Sequence, residues 1–344
     1  MSMLQILLPC ILVMAGLSSL GQSLNPGADA ARPASRQSTA TAHAAHLIAA
    51  GKPDEAFADL ATLSAEQPEP AGVERMLGFV YYQRSELNNA EKAFEKALTQ
   101  DPRDLQSMQL LSITLFRLGK PAEAIPILER ERGSPDATID PDYLLGMCYM
   151  DVQRYDDARR MIASEAHLAP GSPAAYLLTG RLLLRREYLP AAEDAARKAL
   201  ALNPRLPLAN ELLGQIALAQ SDTSRAIADF KAERAVNPLY GGLYERLGDA
   251  YFRAGDYQLS LQSLNRAALL EPNSTGPFIL LGKVFLQRQD PVMATTYLER
   301  ALRMDPNNYI THLLLGQAYH ATGRDKEASS EFQKVRQMQY SDHR

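Results

Sequence analysis

The sequence predicts an all-α solenoid of antiparallel helix pairs, and three periodic series carry that prediction. Gly78, Gly146, Gly180, Gly214, Gly248, Gly282 and Gly316 lie on a 34-residue lattice, with Ser112 in its one empty slot. Pro68, Pro102, Pro170, Pro204, Pro238, Pro272 and Pro306 keep the same period, and Asp136, next to Pro135, fills the remaining slot. Ala56, Ala90, Ala124, Ala158, Ala192, Ala226, Ala294 and Ala328 form the third series, interrupted by Ser260. A period held without insertion or deletion marks a chain built from one supersecondary unit stacked on copies of itself.

Residues 4–20 form an uncharged apolar run ended by small residues, with Ser19 and Gly21 placed as at a cleavage zone, so residues 1–21 are expected to be an export signal. Residues 1–3 carry no lysine or arginine, which leaves the terminal amine to orient insertion. Pro9 interrupts the run, which is at the short end for a bilayer span; both features favour a cleaved signal over a retained anchor. Pro9 directly before Cys10 fits a lipoprotein signal poorly. Residues 22–40 hold Pro26, Gly27 and Pro33 among Ser, Thr and Ala, show no helical or strand period, and are expected to be a flexible linker.

Repeats then begin near residues 37, 71, 105, 139, 173, 207, 241, 275 and 309, giving a solenoid over 41–342. In the repeat from Ala71, Met76, Leu77, Val80 and Tyr81 recur at helical spacing, and Ala90, Phe94, Ala97 and Leu98 do so after a break at Ser85 and Glu86. That pattern is two amphipathic helices and a short turn. Glycine at the eighth position and alanine at the twentieth let the two helices approach, while Tyr81 and Phe94 fill the space beside them. A bulky residue at Gly78 is expected to clash. The proline ends the second helix by lacking an N–H and by disfavouring helical geometry in the residue before it: Asp101, Asn203, Asn237, Glu271 or Asp305. The first repeat has Ala44 for glycine and Leu47 for the aromatic, as a solvent-facing cap would. The third departs at Ser112 and Glu131 and has its proline displaced to Pro135, so a hinge, if there is one, is expected near 133–135.

Composition removes several function classes. Lys and Arg number 36 against 40 Asp and Glu, a net charge of −4, so no cation excess is present for a phosphate backbone and nucleic acid is not expected as a partner. Cys10 and Cys148 are the two cysteines and Cys10 falls in the apolar run, so packing rather than a disulfide is expected to hold the fold. No His-Glu-x-x-His, Cys-x-x-Cys, Gly-x-Ser-x-Gly or phosphate-loop pattern occurs, and the repeats leave little room for a separate catalytic domain. No catalytic, cofactor-binding or metal-ligating residues are assigned. His43 and His46 lie three apart without a third ligand nearby and read as a solvent-facing pair, His312 and His320 as surface or packing residues, and Cys148 as a small buried hydrophobe.

The periodic residues resemble the tetratricopeptide repeat, a 34-residue helix-turn-helix unit with glycine, aromatic, alanine, phenylalanine and proline at these offsets. The resemblance implies a right-handed superhelix whose first helices line a concave face, with positions 2, 5, 9, 12 and 13 turned inward. Position 9 then runs Phe79, Ile113, Met147, Arg181, Gln215, Asp249, Lys283 and Gln317, apolar early and polar late. Position 12 adds Tyr82, Phe116 and Met150, position 5 adds Tyr143, and Arg75, Arg117, Arg181 and Arg185 surround this early half. These eleven residues are the expected groove, holding an apolar or amphipathic peptide; the alternative for position 12 is packing against the next pair, since Leu184, Leu218, Phe252 and Leu286 continue its apolar series. Position 6 is Met76, Leu110, Leu144, Leu178, Leu212, Arg246, Leu280 and Leu314, and no inner position holds asparagine, so neither a carboxylate clamp nor an asparagine ladder is indicated.

The resulting expectation is an exported, non-catalytic scaffold or adaptor, periplasmic or secreted, binding a protein or peptide partner in a cell-envelope complex. Membrane contact would come only through an uncleaved N-terminal segment. The alternative is an accessory or substrate-presenting subunit of a separately encoded envelope hydrolase or glycosyltransferase.

Overall fold

The computed structural model describes residues 36–66, 69–132 and 140–341. The apolar run at 4–20 and the junction at 133–135 lie outside them. The described residues form eighteen helices and no strand. They are α1 (Arg36–Ala49), α2 (Pro53–Ser64), α3 (Val73–Gln83), α4 (Leu87–Gln100), α5 (Leu105–Arg117), α6 (Pro121–Arg132), α7 (Asp142–Asp151), α8 (Tyr155–Glu165) and α9 (Pro173–Arg185). They continue with α10 (Leu189–Leu202), α11 (Ala209–Ala219), α12 (Thr223–Val236), α13 (Gly241–Arg253), α14 (Tyr257–Leu270), α15 (Gly276–Gln287), α16 (Pro291–Met304), α17 (Tyr309–Ala321) and α18 (Asp325–Ser341). Helix α1 begins at Arg36, inside the stretch read as linker up to residue 40. The chain divides into two compact units between Pro170 and Gly171, α1–α8 in the first and α9–α18 in the second. The division thus falls one repeat beyond the junction where a hinge was expected.

Within each unit every odd helix packs along the even helix that follows, and each hairpin packs on the next. First helices also touch one another, α1 on α3 and α3 on α5 in the N-terminal unit, α9 on α11, α13 on α15 and α15 on α17 in the C-terminal unit. Second helices are not drawn together to that extent, so the first helices form the inner face of each unit.

The glycine lattice explains how close the hairpin helices lie. A Cβ built on Gly78 would stand 2.6 Å from the Phe94 ring, on Gly214 2.4 Å from Phe230, and on Gly282 2.4 Å from Leu298. Gly146, Gly248 and Gly316 meet Ile162, Leu264 and Phe332 in the same way. Each of those side chains is the sixteenth residue after its glycine, so one large side chain on the second helix lies flat on the bare backbone of the first. Gly180 varies the theme: the residue sixteen on is Ala196, and the neighbour becomes Leu212 of the next hairpin, with the Ala192 carbonyl at 3.3 Å. The alanines at position 20 are fully buried from Ala56 to Ala294, and Ser260 fits their slot by donating its hydroxyl to the Gly248 carbonyl (2.7 Å).

The turn inside every hairpin carries a signal that the three series do not contain. Gly51, Ser85, Gly119, Gln153, Glu187, Ser221, Gly255, Gln289 and Gly323 are spaced by 34 residues, and all have φ between 59° and 79°. This left-handed residue closes the first helix, and the next N–H returns to it, as Glu86 does to the Tyr81 carbonyl (2.9 Å) and Arg154 to that of Tyr149 (2.8 Å). Four slots hold glycine, and five hold residues that a left-handed backbone disfavours. The expected prolines act through the residue before them: Asp101, Asn203 and Asp305 are extended, and each Oδ1 accepts the N–H two residues on. Side-chain N-caps start the following helices, among them Asp104 on α5, Ser172 on α9 and Asn308 on α17.

The third repeat keeps the fold with different chemistry. Ser112 in the glycine slot faces Glu131, which is 2% exposed where other hairpins place Ala97, Ala199 or Ala267. The Ser112 hydroxyl has one proton and two acceptors, the Gln109 carbonyl (2.9 Å) and Glu131 Oε1 (3.1 Å). Both contacts become hydrogen bonds when the carboxyl carries a proton and donates to Oγ. Burial pushes Glu131 up to about 7 in the same sense.

Three outcomes are expected. Gly214→Ala gains about 1 kcal/mol of helix propensity but loses about 1–3 kcal/mol to the strained Phe230 contact, so hydrogen exchange in α11 and α12 should accelerate. Glu187→Gly relieves about 1–2 kcal/mol of left-handed strain against about 0.5–1 kcal/mol of added chain entropy, and α9 and α10 should exchange more slowly. Because Glu131 binds its proton more tightly folded than unfolded, stability should fall as pH rises from its ordinary value of 4.5 to about 7 and level off above. Glu131→Gln should remove that slope, worth on the order of 3 kcal/mol at neutral pH, as read by urea unfolding across the pH series.

Candidate functional site

The inner face of the N-terminal unit contains a small open pocket lined by Ala45, Ile48, Arg75, Met76, Phe79, Gln106 and Leu110. These residues come from α1, α3 and α5, the first helices of three successive repeats. Arg75 and Phe79 were expected in a groove; the others were not. Ala45 and Ile48 belong to the repeat read as a cap, Met76 and Leu110 to the position-6 series considered only for asparagine, and Gln106 stands at position 2. Continuing position 9 back one repeat, to Ala45, would have pointed to the pocket.

Arg75 is fixed across the pocket edge. Its Nη1 donates to both oxygens of Asp104 (3.0 and 3.1 Å), while Asp104 caps α5 by accepting from the Ser107 N–H and hydroxyl. The guanidinium is thereby neutralised and held, and its Nε is buried without a hydrogen-bond partner. The site is apolar, with one oriented donor group at its rim.

The other expected groove residues divide by burial. Met150 is 0% exposed, Tyr82 6% and Met147 8%, so these side chains belong to the packing between helices and Met150 is closed to a partner. Tyr82 lies under the Arg117 guanidinium, 4.7 Å from its ring centroid, and Phe252 lies under Lys283 at 4.6 Å in the C-terminal unit. In both places a cation from the next repeat covers the position-12 aromatic. Ile113, Phe116 and Tyr143 are half-buried and Arg117 is exposed. Arg181 and Arg185 belong to the C-terminal unit.

There Arg181 enters a network that the sequence reading did not assemble. Glu211 on α11 is fully buried and accepts from Arg246 Nε of α13 (2.5 Å), Gln215 Nε2 (3.0 Å) and Arg181 Nη2 of α9 (3.4 Å). Burial, and then the Glu211 charge, raise the Tyr240 hydroxyl above its ordinary range. The signal in the sequence was Arg246, the one charged residue in the position-6 series.

His43, His312 and Cys148 take up surface or packing positions. His43 meets Asp59 on the surface (2.9 Å), and His312 is buried against Glu331 and the Pro306 carbonyl (2.9 Å). Cys148 is fully buried. Among the described residues no group of three or more His, Cys, Asp or Glu could hold a metal ion, and no helix is long and apolar enough to cross a membrane.

Comparison with known proteins matches residues 41–104, 143–207 and 211–277 to a family described as Tetratricopeptide repeat, and 285–344 to a second family model of the same description. Residues 83–165 match Anaphase-promoting complex, cyclosome, subunit 3. Cellulose synthase 1 operon protein C of Komagataeibacter xylinus is 25% identical over 171 residues, 46% of this chain and 13% of that protein. Anaphase-promoting complex subunit 3 of Schizosaccharomyces pombe is 25% identical over 167 residues, 46% of this chain and 24% of that one. This chain therefore spans only a minor part of either relative. Among solved structures, MamA from Desulfovibrio magneticus RS-1 is similar with a TM-score of 0.46 and 20% identity, covering 49% of this chain and 96% of that one. Pseudomonas aeruginosa pilF gives 0.46 and 23%, covering 48% and 76%.

Proposed function

This chain belongs to the tetratricopeptide repeat family, and from that premise we propose that it is a non-catalytic scaffold or adaptor that holds a protein partner on its inner face. The observation that carries the proposal is the pocket on α1, α3 and α5. It gathers apolar side chains from three helices, largely buried, with the pinned Arg75 at its edge. Such a surface suits an apolar anchor residue of an extended or helical segment, with adaptable Met76 and rigid Phe79 beneath it.

The proposed setting is the cell envelope, with export directed by residues 1–21. The apolar run at 4–20 supports this, as does likeness to a protein of a cellulose synthase operon. That likeness also favours a second reading, an accessory subunit presenting substrate to a separately encoded envelope enzyme. The two readings part on whether material co-purifying with the chain carries an activity absent from the chain alone.

The test is crosslinking in native cells from a photoreactive residue at Gln106, followed by mass spectrometry, in wild type and Ala45→Arg. The arginine fills the pocket and adds charge, so capture of the partner should fall at least about tenfold, with thermal stability within about 0.5 kcal/mol of wild type. Undiminished capture by a folded Ala45→Arg protein would place the partner elsewhere. Detection of the chain only in the cytosolic fraction would remove the envelope setting.

A further inference from the structure

We propose that the arginine pair on the inner face of the C-terminal unit, Arg181 and Arg246, is a receptor for an acidic side chain of an extended partner segment. This goes beyond the apolar anchor site, which lies in the N-terminal unit and uses none of these residues.

The argument starts from Glu211. Its carboxylate is fully buried, an arrangement that costs free energy unless every lone pair is engaged. It is engaged by donors from three helices, and two of them carry full charge. One buried negative charge therefore fixes two positive ones, so the Arg181, Glu211 and Arg246 trio by itself carries one net positive charge, with the Glu245 carboxyl beside Arg246.

The guanidiniums are not consumed by this role. Arg181 and Arg246 are 41% and 42% exposed, and each makes a single hydrogen bond, to Glu211, among the described residues. Arg246 spends its Nε and keeps both terminal nitrogens; Arg181 spends one Nη and keeps its other N–H groups. Two planar forks with unspent donors, oriented by a shared buried anchor, form a pre-organised site for a carboxylate.

Among the described residues no acid besides Glu211 hydrogen-bonds either guanidinium. Asp249 is paired with Arg253 (2.8 Å), and Glu271 accepts from the Gly242 N–H (2.9 Å). Burial raises the Glu245 carboxyl above its ordinary range; the Arg246 charge beside it pulls it down, and those of Glu271 and Asp249 push it up. The row of first helices continues past the arginines through α15 and α17, so a segment lying along it presents a side chain rather than a chain end at this point.

The experiment uses the full chain and a randomised library of decapeptides with acetylated N-termini and amidated C-termini, selected at low salt by wild type, Arg181→Gln, Arg246→Gln and Glu211→Gln. Wild type should enrich Asp or Glu at one position. Each arginine variant should lose that enrichment, and the best acidic peptide should bind it about fivefold more weakly. Arg181 makes the longest of the three bonds to Glu211, so Arg181→Gln leaves the Glu211–Arg246 pair intact if Arg246→Gln proves unstable. Glu211→Gln removes the anchor that orients both forks and should weaken the acidic enrichment. The proposal is overturned by selection without acidic enrichment, by enrichment unchanged in folded Arg181→Gln, or by binding confined to peptides with a free C-terminal carboxylate. Ala45→Arg should leave the acidic enrichment untouched, so failure of the apolar site and failure of this one are read separately.

Discussion

A glycine backbone covered by one large side chain is the contact on which this structure depends. In six of the seven glycine slots a Phe, Leu or Ile sixteen residues later lies where a Cβ would stand. That single contact sets the spacing of the hairpin, and the spacing in turn brings the position-20 alanines into full burial and aligns one hairpin with the next. The stack is a sum of such contacts, each between neighbours in sequence, which is why a chain of this length needs no long-range pairing to fold.

The same economy limits where function can lie. Most apolar residues on the inner helices are already engaged: Met150 is sealed, and Tyr82 and Phe252 lie beneath cations from the following repeat. An apolar inner face seen in the sequence is thus chiefly the seam between repeats. Among the surfaces that stay open are a pocket at the start of the first unit and an arginine pair in the second, two chemically different surfaces in separate units.

The helix pairs were legible in the sequence because their determinants are local and repeated: a glycine, an alanine and a proline recur where sterics allow little else. The turn was not legible in the same way, although it keeps the same period. Its requirement is a left-handed backbone, and Ser85, Gln153, Glu187, Ser221 and Gln289 meet it without being glycine, so residue identity hides the constraint. The pocket was half legible. Arg75 and Phe79 stood out by type, whereas Ala45 lines it by being small, which no pattern of large residues reports. The pairing of Glu211 with Arg246 was not legible because it spans 35 residues and joins two different positions of the repeat.

The bonds converging on Glu211 also bear on how the second unit comes apart. In a linear stack each hairpin ordinarily interacts with its immediate neighbours, and fraying proceeds one hairpin at a time. Arg181, Glu211 and Arg246 belong to three consecutive hairpins and share one buried charge. Loosening the first of them withdraws a counter-charge from a carboxylate held by the third, so the correlation length of unfolding there exceeds one repeat. Within the second unit, the hairpin of α9 and α10 is thereby tied into a cooperative block of three.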